Sequence, residues 1–246
     1  MTSLRVIGLE GIPEVCPGDD VAALIAAAAE RVGGLEDGDV VAVAHKVVSK
    51  AEGRLVRLDD VEPSLYASDV AGDEDPRRLE VILREAARVV RARPPLVIAE
   101  TRHGFVCASA GVDSSNAPDT GTVVLLPLDP DASAERIRSR LAELTGVPVG
   151  VIVTDSFGRP WRRGTTDIAV GVAGVIPLLD LRSQRDRAGY ELHATQIALA
   201  DEIAGAAELV MGKTAQIPAA IVRGLDLAGE GSARELVMPA ERDLFR

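Results

Sequence analysis

VGVIVTD, residues 149–155, is an almost wholly apolar and β-branched run that ends on a carboxylate. Such a run suits a strand buried on both faces, in a sheet flanked by helices. Asp155 then stands at the end of that strand, where α/β proteins usually gather their ligands. Working outward, LRVIGLE from Leu4, VVAVAH from Val40, LVIAE from Leu96, TVVLLPL from Thr122 and AAIVRG from Ala219 read as further strands. Between the first two of these, DDVAALIAAAAERVGG reads as a helix capped by Asp19 or Asp20 and ended by Gly33. A helix is expected over 75–91, because Leu79, Ile82, Leu83, Ala86 and Val90 share one face. DASAERIRSRLAELTG predicts an amphipathic helix that starts at Asp131 or Ser133 and stops at Gly146. Another is expected from about Thr195 to Met211, closed by Gly212. The alternation predicts a mixed α/β fold. No internal repeat or Gly/Ser linker divides the chain, so residues 1–246 read as one domain.

Hydrophobic residues make up 47% of the chain but aromatics only 2%, so the core must be built from small aliphatic side chains. A net charge of −11 argues against nucleic acid as a partner, since phosphate backbones need clustered Lys and Arg. Cys16 and Cys107 form no disulfide framework and lack metal-ligand spacing, so both read as small buried apolar residues. The opening MTSLRVIGLEGIPEV lacks a basic region followed by a long apolar one, and AALIAAAA is too short to span a bilayer. A cytoplasmic protein with no membrane partner is expected.

Chemistry-bearing residues collect in a few places. In AGVDSSNAP, from Ala110, the residues Asp113, Ser114, Ser115 and Asn116 form a polar turn after an apolar stretch. The Asp113 carboxylate suits Mg²⁺ or Mn²⁺, although the same residues also make an ordinary Asx turn. In TDSFGRPWRRGTTD, from Thr154, Asp155 and Ser156 offer a carboxylate and a hydroxyl to a cation. Arg159, Arg162 and Arg163 surround Trp161 there and suit a carboxylate or phosphate on a substrate. The bland alternative is a charged surface loop whose Trp161 plugs the core. Residues 156–190 lack periodicity, and so long an irregular stretch points to a site. In HKVVSKAEGR, Lys46 and Lys50 lie just past a strand, where a lysine can hold a β- or γ-phosphate. With no partner visible in the sequence, His45 is equally consistent with a half-buried, hydrogen-bonded side chain as with a functional one, and His103 and His193 read the same way. MGKT, from Met211, imitates the end of a P-loop. Ala207 occupies the place of the first glycine, however, and the helix precedes the loop instead of following it.

These signals describe an α/β enzyme that handles cations and phosphate. A more specific reading comes from GIPEVCPGDD, KVVSKAEGR, AGVDSSNAP, TDSFGRPWRRGTTDIAVGVAG, ELHATQIALADEIAGAAELVMGK and IPAAIVRG. In that order, from about Gly8 to the closing DLF, they resemble the coenzyme F420-0:L-glutamate ligase family. TDSFGRPWR and GVDSSN are the most specific. The resemblance implies a GTP-dependent ligase that activates a carboxylate of F420-0 as an acyl phosphate and joins L-glutamate to it. It implies an intertwined homodimer, without the nitroreductase-like domain that fused relatives carry. Asp113 and Asp155 would ligate one divalent ion, Mg²⁺ or Mn²⁺, and Ser156 would help hold a second, with room for K⁺. Ile12, Pro13, Glu14 and Val15 would line the GTP site. His45 and Asn116 would meet the nucleotide, Lys50 the phosphates, and the loop of Met211, Gly212, Lys213 and Thr214 would wrap it through backbone groups. Arg159, Trp161 and Arg162 are expected to meet the substrate, and no residue stands out as general base. The chain departs from the family's pattern at His45, where Ser is common, at Ser156, where Thr is common, and at Lys213, where Gln is frequent. Two other readings share these residues: a related ligase or acyl-phosphate kinase on another carboxylate, and a non-catalytic GTP-binding module.

Overall fold

The computed structural model describes residues 3–93 and 95–244, so Phe245 of the closing DLF lies outside the described residues. The chain begins with β1 (Arg5–Gly8), α1 (Val21–Glu30), β2 (Val40–Ala44) and α2 (His45–Ala51). It continues through β3 (Leu55–Arg57), α3 (Leu65–Ala71), α4 (Pro76–Glu85), β4 (Ala86–Arg93), β5 (Leu96–Thr101), β6 (Val106–Ala108) and β7 (Thr122–Val124). The last third holds α5 (Pro130–Thr145), β8 (Gly150–Gly158), β9 (Thr165–Ala173), β10 (Leu179–Asp180), β11 (Gln196–Ile197), α6 (Leu199–Met211) and β12 (Ala219–Arg223). This is the mixed α/β fold expected from the sequence.

A five-stranded sheet, ordered β1-β12-β2-β8-β9, forms the centre. Within it β2 and β8 pair in parallel, and the other neighbours are antiparallel. Val40, Val41, Ala42 and Val43 are all buried, as are Val151, Ile152 and Val153. Successive side chains on a strand face opposite ways, so both faces of this sheet are covered. Helix α6 packs on β1, β12 and β9, while α5 packs on β8 and β9 and holds α1. The fit is close: a Cβ on Gly171 of β9 would stand 2.3 Å from the Pro130 carbonyl oxygen of α5. A second hydrophobic cluster lies between β2 and β8 in sequence. It joins Leu58, Leu79, Ile82, Val97, Ala99 and Val123 under the β4-β5-β6 sheet.

Helix ends follow their capping chemistry. Asp20 accepts from Ala23 N and starts α1, whereas Asp19 accepts from Cys16 N instead. Helix α5 starts earlier than expected, with Asp129 as cap and Pro130 in its first turn, where a missing N–H is harmless. Asp131 is thereby released to accept from Val172 N, Ala233 N and Ser232 Oγ, which tethers the C-terminal segment.

The expected helix over 75–91 is corrected: α4 ends at Glu85, and 86–93 becomes β4 paired with β5. Arg88-Val89-Val90-Arg91 is rich in β-branched residues, and pairing with the half-buried β5 outweighs the helical spacing. Helix α6 begins at Leu199 and not at Thr195, because Gln196 and Ile197 pair with β10. The irregular stretch expected over 156–190 is partly regular. β8 runs on to Gly158 and pairs with β9 as a long hairpin. Among the described residues no helix is long and apolar enough to cross a membrane.

One buried ion pair fastens the end of β12. Asp39 is 1% exposed and accepts from Arg223 Nε at 2.8 Å and Nη2 at 2.7 Å. Replacing Arg223 with Met leaves that carboxylate buried without its cation, which should destabilise the fold by about 3–5 kcal/mol in urea unfolding. Lys at the same position keeps the charge but not the fork, and should lose less.

Candidate functional site

Val43 stands opposite Val153 and Ala44 opposite Thr154 in the parallel ladder. The parallel pairing stops there, with β2 ending and β8 running on to Gly158, so His45 and Asp155 emerge side by side, Asp155 within its strand and not at its end as expected. His45 opens α2, is 1% exposed, and holds Nε2 3.4 Å from Asp155 Oδ1. The contact is not aligned as a hydrogen bond, and Nε2 is buried with no hydrogen-bond partner. Its other ring nitrogen, Nδ1, lies 3.3 Å from the hydroxyl of the buried Ser49. His45 is therefore fully buried against a site carboxylate, not half-buried as one reading of the sequence had it.

Helix α2 draws together segments that are distant in sequence. Lys46 Nζ lies 2.7 Å from Asp113 Oδ2 and also donates to Ser115 Oγ. Lys50, one turn further on, is buried and donates to the exposed Glu14. GIPEV, KVVSK, GVDSSN and Asp155 of β8 thus meet at one edge of the sheet.

Asp113 is tied on both sides. Its backbone exchanges hydrogen bonds with Val124, and its carboxylate accepts from Ser115 N at 2.7 Å and Ser115 Oγ at 3.0 Å. This is the Asx turn that the sequence allows, now seen to aim a carboxylate at Lys46. Burial pushes the Asp113 carboxyl upward, but the hydrogen bond from Lys46 and those from Ser115 outweigh it and hold the group below its ordinary range. The turn is entered through left-handed backbone at Ser109, Ala110 and Gly111, with φ of 56°, 50° and 73°. For the two residues that carry a Cβ this stores roughly 1–3 kcal/mol each, strain of the kind that collects at functional sites. Asn116, at φ 55°, is exposed on the same turn.

Asp155 and Ser156 do not converge on one point, because neighbours on a strand face opposite sides. Asp155 faces His45 and the buried Cys107, whose thiol is pushed up to about 12 by burial and then by the Asp155 charge. Ser156 Oγ donates to Asp167 Oδ1 at 2.5 Å, and Thr154 Oγ1 donates to Asp167 Oδ2 at 3.1 Å. Asp167 sits opposite Ser156 on β9 and gives its own N–H to Glu208 of α6. Sequence reading missed Asp167.

The other expected residues spread more widely. Ile12 packs against the core, Val15 is buried within it, and Pro13 and Glu14 are exposed. Met211 is a core residue at the end of α6, so its side chain is not at a ligand surface, while Gly212, Lys213 and Thr214 are exposed beyond it. This loop reaches the same edge, because Pro218 O accepts from Ala44 N at 2.9 Å. Its order, helix then loop then strand, matches the rejection of a P-loop. At the tip of the β8–β9 hairpin Arg159, Arg162 and Trp161 face solvent, with Arg159 donating to Arg163 O. Trp161 is 82% exposed, so it does not plug the core. Cys16 is exposed, contrary to expectation, and Cys107 is buried as expected. Among the described residues no three His, Cys, Asp or Glu side chains form a ready-made metal cluster. Asp113 is instead held by Lys46, and Asp155 has the unaligned imidazole of His45 beside it.

Residues 11–224 match the family model described as F420-0:Gamma-glutamyl ligase. The chain is 51% identical, over 100% of both chains, to a Methanopyrus kandleri protein named coenzyme F420:L-glutamate ligase. It is 45% identical to a protein of that name from Methanothermobacter thermautotrophicus, over 99% of each chain. A third of that name, from Methanocaldococcus jannaschii, is 44% identical over 86% of each.

Replacing Asp167 with Ala removes the acceptor of two largely buried hydroxyls. Urea unfolding should show a loss of about 1–3 kcal/mol, with Asn, which keeps one acceptor oxygen, losing less.

Proposed function

We propose a function from one premise: this chain belongs to the F420-0:gamma-glutamyl ligase family. It is a cytoplasmic, homodimeric ligase that joins the amine of L-glutamate to a carboxylate of F420-0, with GTP as phosphoryl donor. The observation that carries this reading is 51% identity, over both whole chains, with a protein that bears the name coenzyme F420:L-glutamate ligase.

A carboxylate resists attack by an amine until one oxygen becomes a good leaving group. Transfer of the γ-phosphoryl group supplies one, giving an acyl phosphate and GDP. The glutamate nitrogen then attacks the acyl carbon, loses a proton, and expels inorganic phosphate as the amide forms. Later rounds add γ-linked glutamates.

The residues at the sheet edge answer the needs of such a reaction. Phosphoryl transfer is mostly positioning and charge neutralisation, and Lys46 and Lys50 bring cations to an acidic protein where they are needed. Lys46 neutralises Asp113, and its flexible stem lets the ammonium move to a phosphate oxygen when a ligand arrives. The hard carboxylate oxygens of Asp113 and of Asp155 each suit a divalent ion, and at Asp155 the buried, unbonded Nε2 of His45 stands 3.4 Å away. A divalent ion held there would supply charge neutralisation for the transferring phosphoryl group. Ser156, on the other side of β8, belongs to a second cation position backed by Asp167. The loop after α6 covers the nucleotide with backbone groups, and Arg159 and Arg162 present cations to the anionic acceptor.

Mass spectrometry tests the reading. Protein incubated with F420-0, L-glutamate, GTP and Mn²⁺ should yield a product heavier by one glutamyl residue. ATP in place of GTP, or omission of metal, should give none. Asp113→Ala and Asp155→Ala should both abolish the product. GTP hydrolysis without ligation would instead point to another carboxylate acceptor. Lys213→Gln exchanges a cation for an amide beside the phosphates, and should raise the metal requirement or the KM for GTP. Unchanged kinetics would remove Lys213 from the nucleotide site.

A further inference from the structure

We propose that His45 Nε2 is a nitrogen ligand of the divalent ion at Asp155, so that this position is a mixed imidazole–carboxylate site. The inference rests on the metal-dependent reading above and deepens it. His45 is buried to 1% exposure, yet its Nε2 has no hydrogen-bond partner. A buried polar atom left unbonded is destabilising by about 1–3 kcal/mol, so native structures seldom keep one without a use. The rest of the ring is fixed. Nδ1 meets the hydroxyl of Ser49, which is itself fully buried, and with the proton on Nδ1 the lone pair of Nε2 faces Asp155. Ring nitrogens that bind metals are commonly oriented in this way by a partner on the other nitrogen.

The spacing fits as well. Nε2 and Asp155 Oδ1 are 3.4 Å apart without hydrogen-bond alignment. Two ligands that each lie ~2.1 Å from one ion, at tetrahedral to octahedral angles, are roughly 3.0–3.4 Å apart. The arrangement is also rigid, because both residues follow directly on the paired Ala44 and Thr154 of the parallel ladder. Imidazole suits Zn²⁺ and the later transition ions, whereas Mg²⁺ and Mn²⁺ favour oxygen ligands, so the ring biases the site toward the later ions.

Pulsed electron paramagnetic resonance of the whole protein loaded with Mn²⁺ tests this without turnover. Natural-abundance protein should show ¹⁴N modulation of bound Mn²⁺, and protein labelled with [¹⁵N]histidine should show ¹⁵N lines in its place. His45→Gln should lose the histidine signal, which separates His45 from His103 and His193. By competition, that variant's preference for Zn²⁺ over Mg²⁺ should fall. Bound Mn²⁺ with no histidine nitrogen would overturn the proposal while leaving the metal reading intact. Mn²⁺ that stays free in solution, seen as the unbound six-line spectrum, would overturn both.

Discussion

The site depends on a parallel pairing between strands that are far apart in sequence. A parallel pair cannot be closed by a tight turn, and the connection from β2 to β8 carries α2 through α5 and a whole second hydrophobic cluster. Closing such a span is entropically unfavourable, and the apolar surface of Val40–Val43 against Val151–Val153 is what offsets it. Once the ladder is in register, geometry does the rest. β2 ends there while β8 runs on, and the residues after the last parallel pair, His45 and Asp155, are delivered to the same point.

That edge also shows how an acidic chain assembles acidic chemistry. A half-buried carboxylate such as Asp113 is costly without a cation beside it. A short helix answers this by presenting Lys46 to Asp113 and Lys50 to Glu14, with the imidazole of His45 beside Asp155. The basic groups are buried or nearly so, where solvent screens them little. The chain's net charge of −11 therefore describes its outer surface better than its site.

Much of this architecture was legible in the sequence because it is carried by local patterns. The apolar run at 149–155 marks β8, Asp20 marks the start of α1, and the polar turn after Gly111 marks the Asp113 corner. The misreadings share a physical cause. Residues 86–93 have helical spacing, yet become a strand through a partner found only in three dimensions. The hairpin of β8 and β9 continues through polar residues whose purpose is cross-strand, so Asp167 carried no local signal. His45 looked unremarkable for the same reason, since its importance lies in which strand stands beside it. The family resemblance supplied residue roles that periodicity does not encode, and the departure at His45 became meaningful only once its surroundings were seen.

The placement of Trp161 has an optical consequence. It is the only tryptophan in the chain, and it stands on an exposed hairpin tip while the core is nearly free of aromatics. Its emission in the native state therefore already comes from a largely aqueous environment. The intrinsic fluorescence of this protein is a poor gauge of unfolding and a direct gauge of whatever settles on the arginine-rich tip.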